Sequence, residues 1–460
     1  MKVDRAGRVS ERGADQLPER QLDLFGKPGK STYDAVDRTS EEIARCLKCG
    51  LCRAACPVFT ETLEESAGAR GRIAMVEALR EGTLSLSPLL ADRLSKCLNC
   101  KSCMEACPSG IEVDQIVLAA RAEIFRRGRF PLLKKLIFRH LMRRGRLLPP
   151  VGRAFAFLER TILRGLPPSS PYRILLPLVK IDRERVLPIF AKRHFAGKYG
   201  EIVTPSQKPR MRVGFFVGCA TDLIYTGVGE AVLRTLVGEG IEVVIPKSQG
   251  CCGMPVYSAG DRETGLVLAD KNLRAFQNHK VDAVVTACAS CGVALKNDYE
   301  KILGLKPGDI GARIYDFTEF LAKHSKLRFE ETPRDRVKVT YHCPCHLSRG
   351  QGIKEVPRKV LEAIPHVDFI EMDEADRCCG GGGTFSFTHY DLSRAIGRRK
   401  ASFIAASGAE VVATSCPSCI MQLEDMFGRN RLPQRVMHIA EIVAECYQPL
   451  EETAEVGLVR

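Results

Sequence analysis

RCLKCGLCRAACP at residues 45–57 and KCLNCKSCMEACP at residues 96–108 are the stretches on which the reading of this chain turns. Each holds the pattern C-x2-C-x2-C-x3-C-P. The first supplies Cys46, Cys49, Cys52 and Cys56 before Pro57, and the second Cys97, Cys100, Cys103 and Cys107 before Pro108. Thiolates at this spacing wrap a chain around a cubane iron–sulfur cluster, and in the two-cluster arrangement the fourth cysteine of each run ligates the other cluster. One 4Fe-4S cluster is therefore expected on Cys46, Cys49, Cys52 and Cys107, and a second on Cys97, Cys100, Cys103 and Cys56. Such a chain carries electrons.

The rest of the composition narrows the setting. The chain has 460 residues and 20 cysteines, room for two to four domains of roughly 100–200 residues. Its first forty residues are polar and charged, with no apolar core for a signal peptide. The expected compartment is the reducing cytoplasm, where clustered cysteines mean metal or catalysis rather than disulfides. No run of 18 apolar residues is present, so no membrane-spanning helix is expected. The net charge of +14 is concentrated: residues 121–212 hold 23 Lys and Arg against 5 Asp and Glu, which leaves the remainder near −4.

Texture divides the chain further. Residues 1–38 lack periodicity and read as a disordered tail. Residues 39–128 read as a helical ferredoxin domain, with helices expected over Ala69–Gly82 and Val113–Arg127. Residues 129–210 form a basic amphipathic linker, interrupted by PPSSP at residues 167–171. Three readings stay open for it: helices packed on neighbouring domains, a partner-docking element, or attachment at an anionic membrane surface, on the inner face of the cytoplasmic membrane. Its aromatic residues form no stacking platform, so nucleic acid is not an expected partner.

From residue 211 the pattern becomes α/β. Short apolar runs at residues 212–219, 242–246, 283–288, 337–343, 367–372 and 410–416 alternate with helical stretches, as buried parallel strands do. Cysteines close these runs in two sets. Cys219, Cys251, Cys252, Cys288 and Cys291 recur as Cys345, Cys378, Cys379, Cys416 and Cys419, at offsets of 126, 127, 127, 128 and 128 residues. Two homologous halves follow, over residues 211–330 and 331–447, with a tail over 448–460. Ligands gather at the carboxyl ends of parallel strands, so five thiols per half can converge there. Glycine follows both cysteine pairs, at Gly253 and Gly380, and lets backbone N–H groups approach a bulky cluster. Zinc is the alternative, but it needs only four thiolates.

The pattern C-x31–x32-CCG-x34–x35-C-x2-C, twice, behind the two-cluster motif, resembles the iron–sulfur oxidoreductases with paired cysteine-rich (CCG) domains. These include glycolate oxidase and D-lactate dehydrogenase iron–sulfur subunits and a heterodisulfide reductase subunit. The motifs that carry the resemblance are ARCLKCGLCRAACP, GARGRIAM, YHCPCHL, CCGGGGTF and TSCPSC. The resemblance implies that the ten downstream cysteines hold one or two further iron–sulfur clusters, non-cubane in the heterodisulfide reductase branch. Both sets are complete here, whereas several glycolate- and lactate-oxidising relatives have lost cysteines from one. The implied fold is α+β and multidomain: a helical ferredoxin domain followed by two tandem α/β CCG domains.

Two functions follow as expectations. In the first, this is an electron-transfer subunit that takes electrons from an FAD-linked 2-hydroxy acid dehydrogenase, of the glycolate or D-lactate type, and passes them toward a quinone, a membrane cytochrome b or another carrier. In the second, the CCG clusters reduce a disulfide or related acceptor themselves. A zinc-binding scaffold is the non-catalytic alternative. No G-x-G-x-x-G follows a strand, so the chain shows no nucleotide-binding signature. His342 and His346 are candidates for hydrogen bonds to a cluster or for proton transfer, with structural roles as the alternative. Arg70 and Arg72 are candidates for offsetting cluster charge. Cys343 reads as an extra ligand, a redox thiol or a spare buried cysteine, and Cys446 as a core residue.

Overall fold

The apolar runs of the C-terminal part form two sheets whose central strands have near-continuous hydrophobic sequences because both faces are covered. The first contains β1 (Ile202–Val203), β2 (Met211–Phe215), β3 (Ile241–Val244), β4 (Ala283–Thr286) and β5 (Arg313–Asp316), in the order β1-β3-β2-β4-β5. All pairs are parallel except β1 with β3. The second contains β6 (Val337–His342), β7 (Val367–Phe369), β8 (Val411–Thr414) and β9 (Arg435–His438), in the order β7-β6-β8-β9, all parallel. The structure is a computed structural model that describes residues 33–127, 135, 137–143, 148–158, 185, 186, 188–306, 308, 313–325, 327–329 and 335–448.

In both sheets the first strand of the half, β2 or β6, lies at the centre. Chain order reverses on either side of it, so the crevice above its carboxyl end is where a doubly wound sheet binds ligands. The halves pack reciprocally. Helix Thr226–Gly238 of the first lies on helix Ile439–Cys446 of the second, and helix Phe317–His324 lies on helix Val356–Glu362. One apolar core runs through both, including Phe215, Val243, Phe320, Tyr341, Val411 and Val443. The relation is a pseudo-two-fold one.

Six strands match apolar runs; β1, β5 and β9 do not. β5 and β9 are edge strands of four residues, RIYD and RVMH, that open on exposed arginines. Each ends on a buried polar residue that caps the next helix. Asp316 accepts from the Thr318 N–H at 2.9 Å and His438 Nδ1 from the Ala440 N–H at 3.1 Å. β1 pairs within the first sheet although it lies in the stretch given to the linker.

The cysteine-bearing N-terminal region is helical. Helix Ala69–Arg80 buries Ile73, Val76 and Leu79 and stops before Gly82, which has φ +76°. Helix Pro88–Ser95 starts with Pro88 and the Ser87 hydroxyl accepting from the Leu90 N–H. Helix Val113–Arg126 packs across both. Asp34–Asp37, inside the stretch read as tail, is also helical and buries Val36 against this core. Of the basic linker, residues 129–134, 136, 144–147, 159–184 and 187, the PPSSP break included, lie outside the described residues. The described turn Ile137–Met142 packs Phe138 against Phe125, Val256 and Leu268, and Arg139 pairs with Glu263 at 3.3 Å. No helix among the described residues is long and apolar enough to cross a membrane.

Candidate metal centres

Two short helices turn the first cysteine runs inward. Gly50 and Lys101, both with left-handed backbone, start helices Leu51–Ala55 and Ser102–Glu105 in the middle of each run. Cys46, Cys49, Cys52 and Cys107 line one cavity, with Arg70 on its wall. Cys56, Cys97 and Cys100 line a second, with Arg72. Cys103 borders both. The fourth cysteine of each run thus lies with the other run.

The cavities differ in setting. Cys49 is exposed, and burial together with the neighbouring Cys46 thiol raises the Cys52 pKa. In the second, Cys56 and Cys100 are buried. Burial raises the Cys56 pKa while the Arg72 guanidinium pulls it down. The buried Arg121 donates to the carbonyls of Leu94, Ser95 and Cys97, and across the domain boundary to Ser258 at 2.8 Å.

The ten downstream cysteines lie at the carboxyl ends of the strands and form one chain of sulfur contacts. Cys219 Sγ is 3.7 Å from Cys251 Sγ. Contact continues to Cys252, Cys291 and Cys288. The second set runs in the same order: Cys345, Cys378, Cys379, Cys419, Cys416. One further contact connects the two sets and another joins them to the helical region. Cys288 meets Cys416, its equivalent in the other half, and Cys378 meets Cys100 of the helical region. Protons are shared unevenly along this chain. Hydrogen bonds from Cys251 and Cys378 lower the pKa of Cys252 and Cys379, whereas Cys219 and Cys345 are pushed up by the thiols they meet, Cys251 and Cys378.

The backbone completes each set. The Gly253 N–H points to Cys251 Sγ and the Gly380 N–H to Cys378 Sγ, both at 3.4 Å. Gly380 has φ +89°, and a Cβ there would lie 2.6 Å from the Ser393 carbonyl. Five converging thiols with N–H groups turned toward sulfur suit an iron–sulfur group bound as thiolates, since loading releases the shared protons.

Neighbouring polar residues fall into two groups. His346 Nε2 donates to the Asn99 carbonyl at 3.0 Å, and its Nδ1 accepts from the Ser290 hydroxyl at 2.9 Å, so it ties the helical region to both halves. His342 has no hydrogen bond at either ring nitrogen. Cys343 lies apart from the set, buried in the shared core beside Arg358, and Cys446 is buried in the same core. Sequence reading missed Lys400, which is wholly buried with Nζ on the carbonyls of Glu374 and Ala375. Its helix, Tyr390–Ala406, carries the run RRK, which reads as a solvated face.

Comparison with known proteins agrees with this architecture. The cysteine-rich domain family matches residues 213–296 and 339–424, and the 4Fe-4S dicluster domain family matches residues 42–111. A probable glycolate oxidase iron–sulfur subunit of Bacillus subtilis is 30% identical over 422 residues, covering 88% of this chain and 94% of that protein. A fumarate reductase (CoM/CoB) subunit of Methanothermobacter marburgensis is 29% identical over 419 residues, 89% of this chain and 73% of that one. Lactate utilization protein A of Geobacillus thermodenitrificans is 35% identical over 240 residues, 51% of this chain and 98% of that one. A dicluster region followed by two cysteine-rich domains, with such relatives along its length, makes this chain a member of the CCG family of iron–sulfur oxidoreductase components.

Proposed function

We propose that the chain is the electron-transferring subunit of a multi-subunit oxidoreductase. In this reading an FAD-linked partner oxidises a 2-hydroxy acid such as glycolate or D-lactate, and electrons leave through this chain toward a quinone, a membrane cytochrome b or another carrier. Iron–sulfur clusters supply one-electron transfer when bound: two cubanes on the eight N-terminal cysteines, and one or two further clusters on the CCG cysteines. The supporting observation is the unbroken line of cysteines. It begins at the exposed Cys49, passes the cavity shared by Cys103, and crosses at Cys100–Cys378 into the CCG sets. Arg72 and Arg121 place fixed positive charge beside the second cubane site, which favours an electron there. The test is anaerobic addition of glycolate or D-lactate to the isolated complex. Reduction of the clusters that depends on the flavoprotein is expected; clusters that stay oxidised in its presence overturn the proposal.

A second reading, heterodisulfide reductase-type catalysis, has one observation in its favour. A largely apolar cavity lies against the first set, lined by Cys219, Cys252 and Cys291 and walled by Met254, Pro255 and Gly383. A disulfide that alters the spectra of the CCG centres supports this reading, and spectra of cubanes alone exclude it.

Peripheral attachment to the cytoplasmic membrane belongs to the first reading. Each basic residue near an anionic surface contributes about 1 kcal/mol. Reversing the charge of Arg143, Arg144 and Arg146 is expected to abolish flotation with anionic liposomes; unchanged flotation removes this segment as the anchor.

A further inference from the structure

The two cysteine sets have the same order but different walls. His342 ends β6, three residues before Cys345, and the equivalent position 126 residues earlier is Phe216. Both are buried, at 1% and 0% exposure. Phe216 meets apolar neighbours, with its ring 6.3 Å from that of Phe276. His342 meets sulfur. A ring nitrogen of His342 and the Sγ atoms of Cys379 and Cys419 all lie within 4.8 Å of one another.

That placement is costly unless the ring has a task. Neither nitrogen of His342 has a hydrogen-bond partner, and a buried polar group left unpaired is destabilising. The Ala375 carbonyl lies beside the ring but is already taken by the Cys343 N–H at 3.0 Å and by Lys400 at 3.2 Å. Donors held about 2.0–2.3 Å from a tetrahedral metal stand about 3.5 Å apart, within the span of this trio.

We propose that His342 is a nitrogen ligand to one iron of the second-half cluster, between Cys379 and Cys419. The two CCG centres then differ in donor set: five sulfurs in the first half, and five sulfurs with one imidazole in the second. Lys400 adds a buried positive charge beside the second set that the first lacks, since its first-half equivalent, 128 residues earlier, is the neutral Asn272, and net charge near a cluster sets its potential. The second centre is therefore the more oxidising of the pair. This rests on the reading that the CCG cysteines hold iron–sulfur clusters.

The experiment is pulsed electron paramagnetic resonance on the full-length holoprotein, grown with isotopically labelled histidine and poised where the CCG centres are paramagnetic. A strong nitrogen coupling, typical of direct bonding, is expected in the native protein. It should vanish in His342→Phe and in His342→Gln, the polar variant that retains the buried volume, at unchanged iron content. The midpoint potential of one centre should shift in both. A weak coupling alone, as from a hydrogen bond to sulfur, or a strong coupling that survives both substitutions, overturns the ligand assignment while the clusters stand. Iron analysis that accounts for the two cubanes alone overturns the cluster reading and this ligand with it.

Discussion

The two CCG halves share a backbone plan and differ in the buried side chains at equivalent positions. In the first, Phe216, Asn272 and Asp316 occupy the positions filled in the second by His342, Lys400 and His438. Strand order about the central strand, thiol order and the glycine N–H to sulfur are the same in both. Convergence of five cysteines is thus a property of strand ends and tight turns. Tuning is a property of side chains, and it diverged. Substitutions at four places separate the halves.

The largest effect is expected at the seam. Cys416→Ala should perturb the spectra of both halves, because Cys416 touches Cys288. Cys345→Ala should perturb only the second half, since its strongest thiol contact is Cys378. Iron content and electron paramagnetic resonance of the two variants provide the check; identical spectra would mean that the halves do not communicate.

The glycines come next. Gly253 has φ +85° and no atom nearer than 3.6 Å to an added Cβ. Gly253→Ala should therefore cost only the left-handed backbone strain, about 1–2 kcal/mol. Gly380→Ala adds a collision with the Ser393 carbonyl and should cost roughly 3–4 kcal/mol. Equal losses in thermal unfolding would show that the second half relaxes at this turn.

The two capping residues titrate in opposite senses. Burial raises Asp316 to about 6, so its contribution is fully present below about pH 4 and is lost as pH rises through 6. Burial lowers His438 to about 4, so its contribution is fully present above about pH 6.5 and is lost as pH falls through 4. Each shift corresponds to about 3 kcal/mol. Between pH 4 and 6 the two nearly cancel. Asp316→Asn should leave stability that rises with pH in that window, and His438→Asn stability that falls; a flat profile in either variant contradicts the assignment.

The smallest effects lie on the same two helices. Glu441 returns the His438 cap by accepting its N–H at 2.9 Å, so Glu441→Ala should cost about 1 kcal/mol. The exposed Lys323–Glu319 pair of the first half should contribute no more than about 0.5 kcal/mol, read from Lys323→Ala.

What was legible in the sequence was whatever local spacing encodes. The two cysteine runs announce clusters because adjacent turns place their thiols, and the constant offset announces the duplication because equal lengths separate equivalent strand ends. Contacts set by docking were not legible. Cys100 meets Cys378 only because Leu98 and Val58 pack on Phe385 and Ile396 across the domain boundary. Lys400 was hidden by its neighbours, since nothing in RRK shows which cation faces inward. β5 and β9 were hidden for the opposite reason: an Asp and a His at their ends read as loop, yet are buried as helix caps.

The Cys288–Cys416 contact sits where a symmetric pair of identical halves would set a residue against its own copy. In such a pair every substitution appears on both sides at once, and donor and acceptor at the axis can never be told apart. Joining the halves in one polypeptide removes that constraint. Here the surroundings of the two thiols are already unequal: the Ser290 hydroxyl lies 3.8 Å from Cys416 Sγ. A duplicated chain can therefore give its midline a direction, which a dimer of equals cannot.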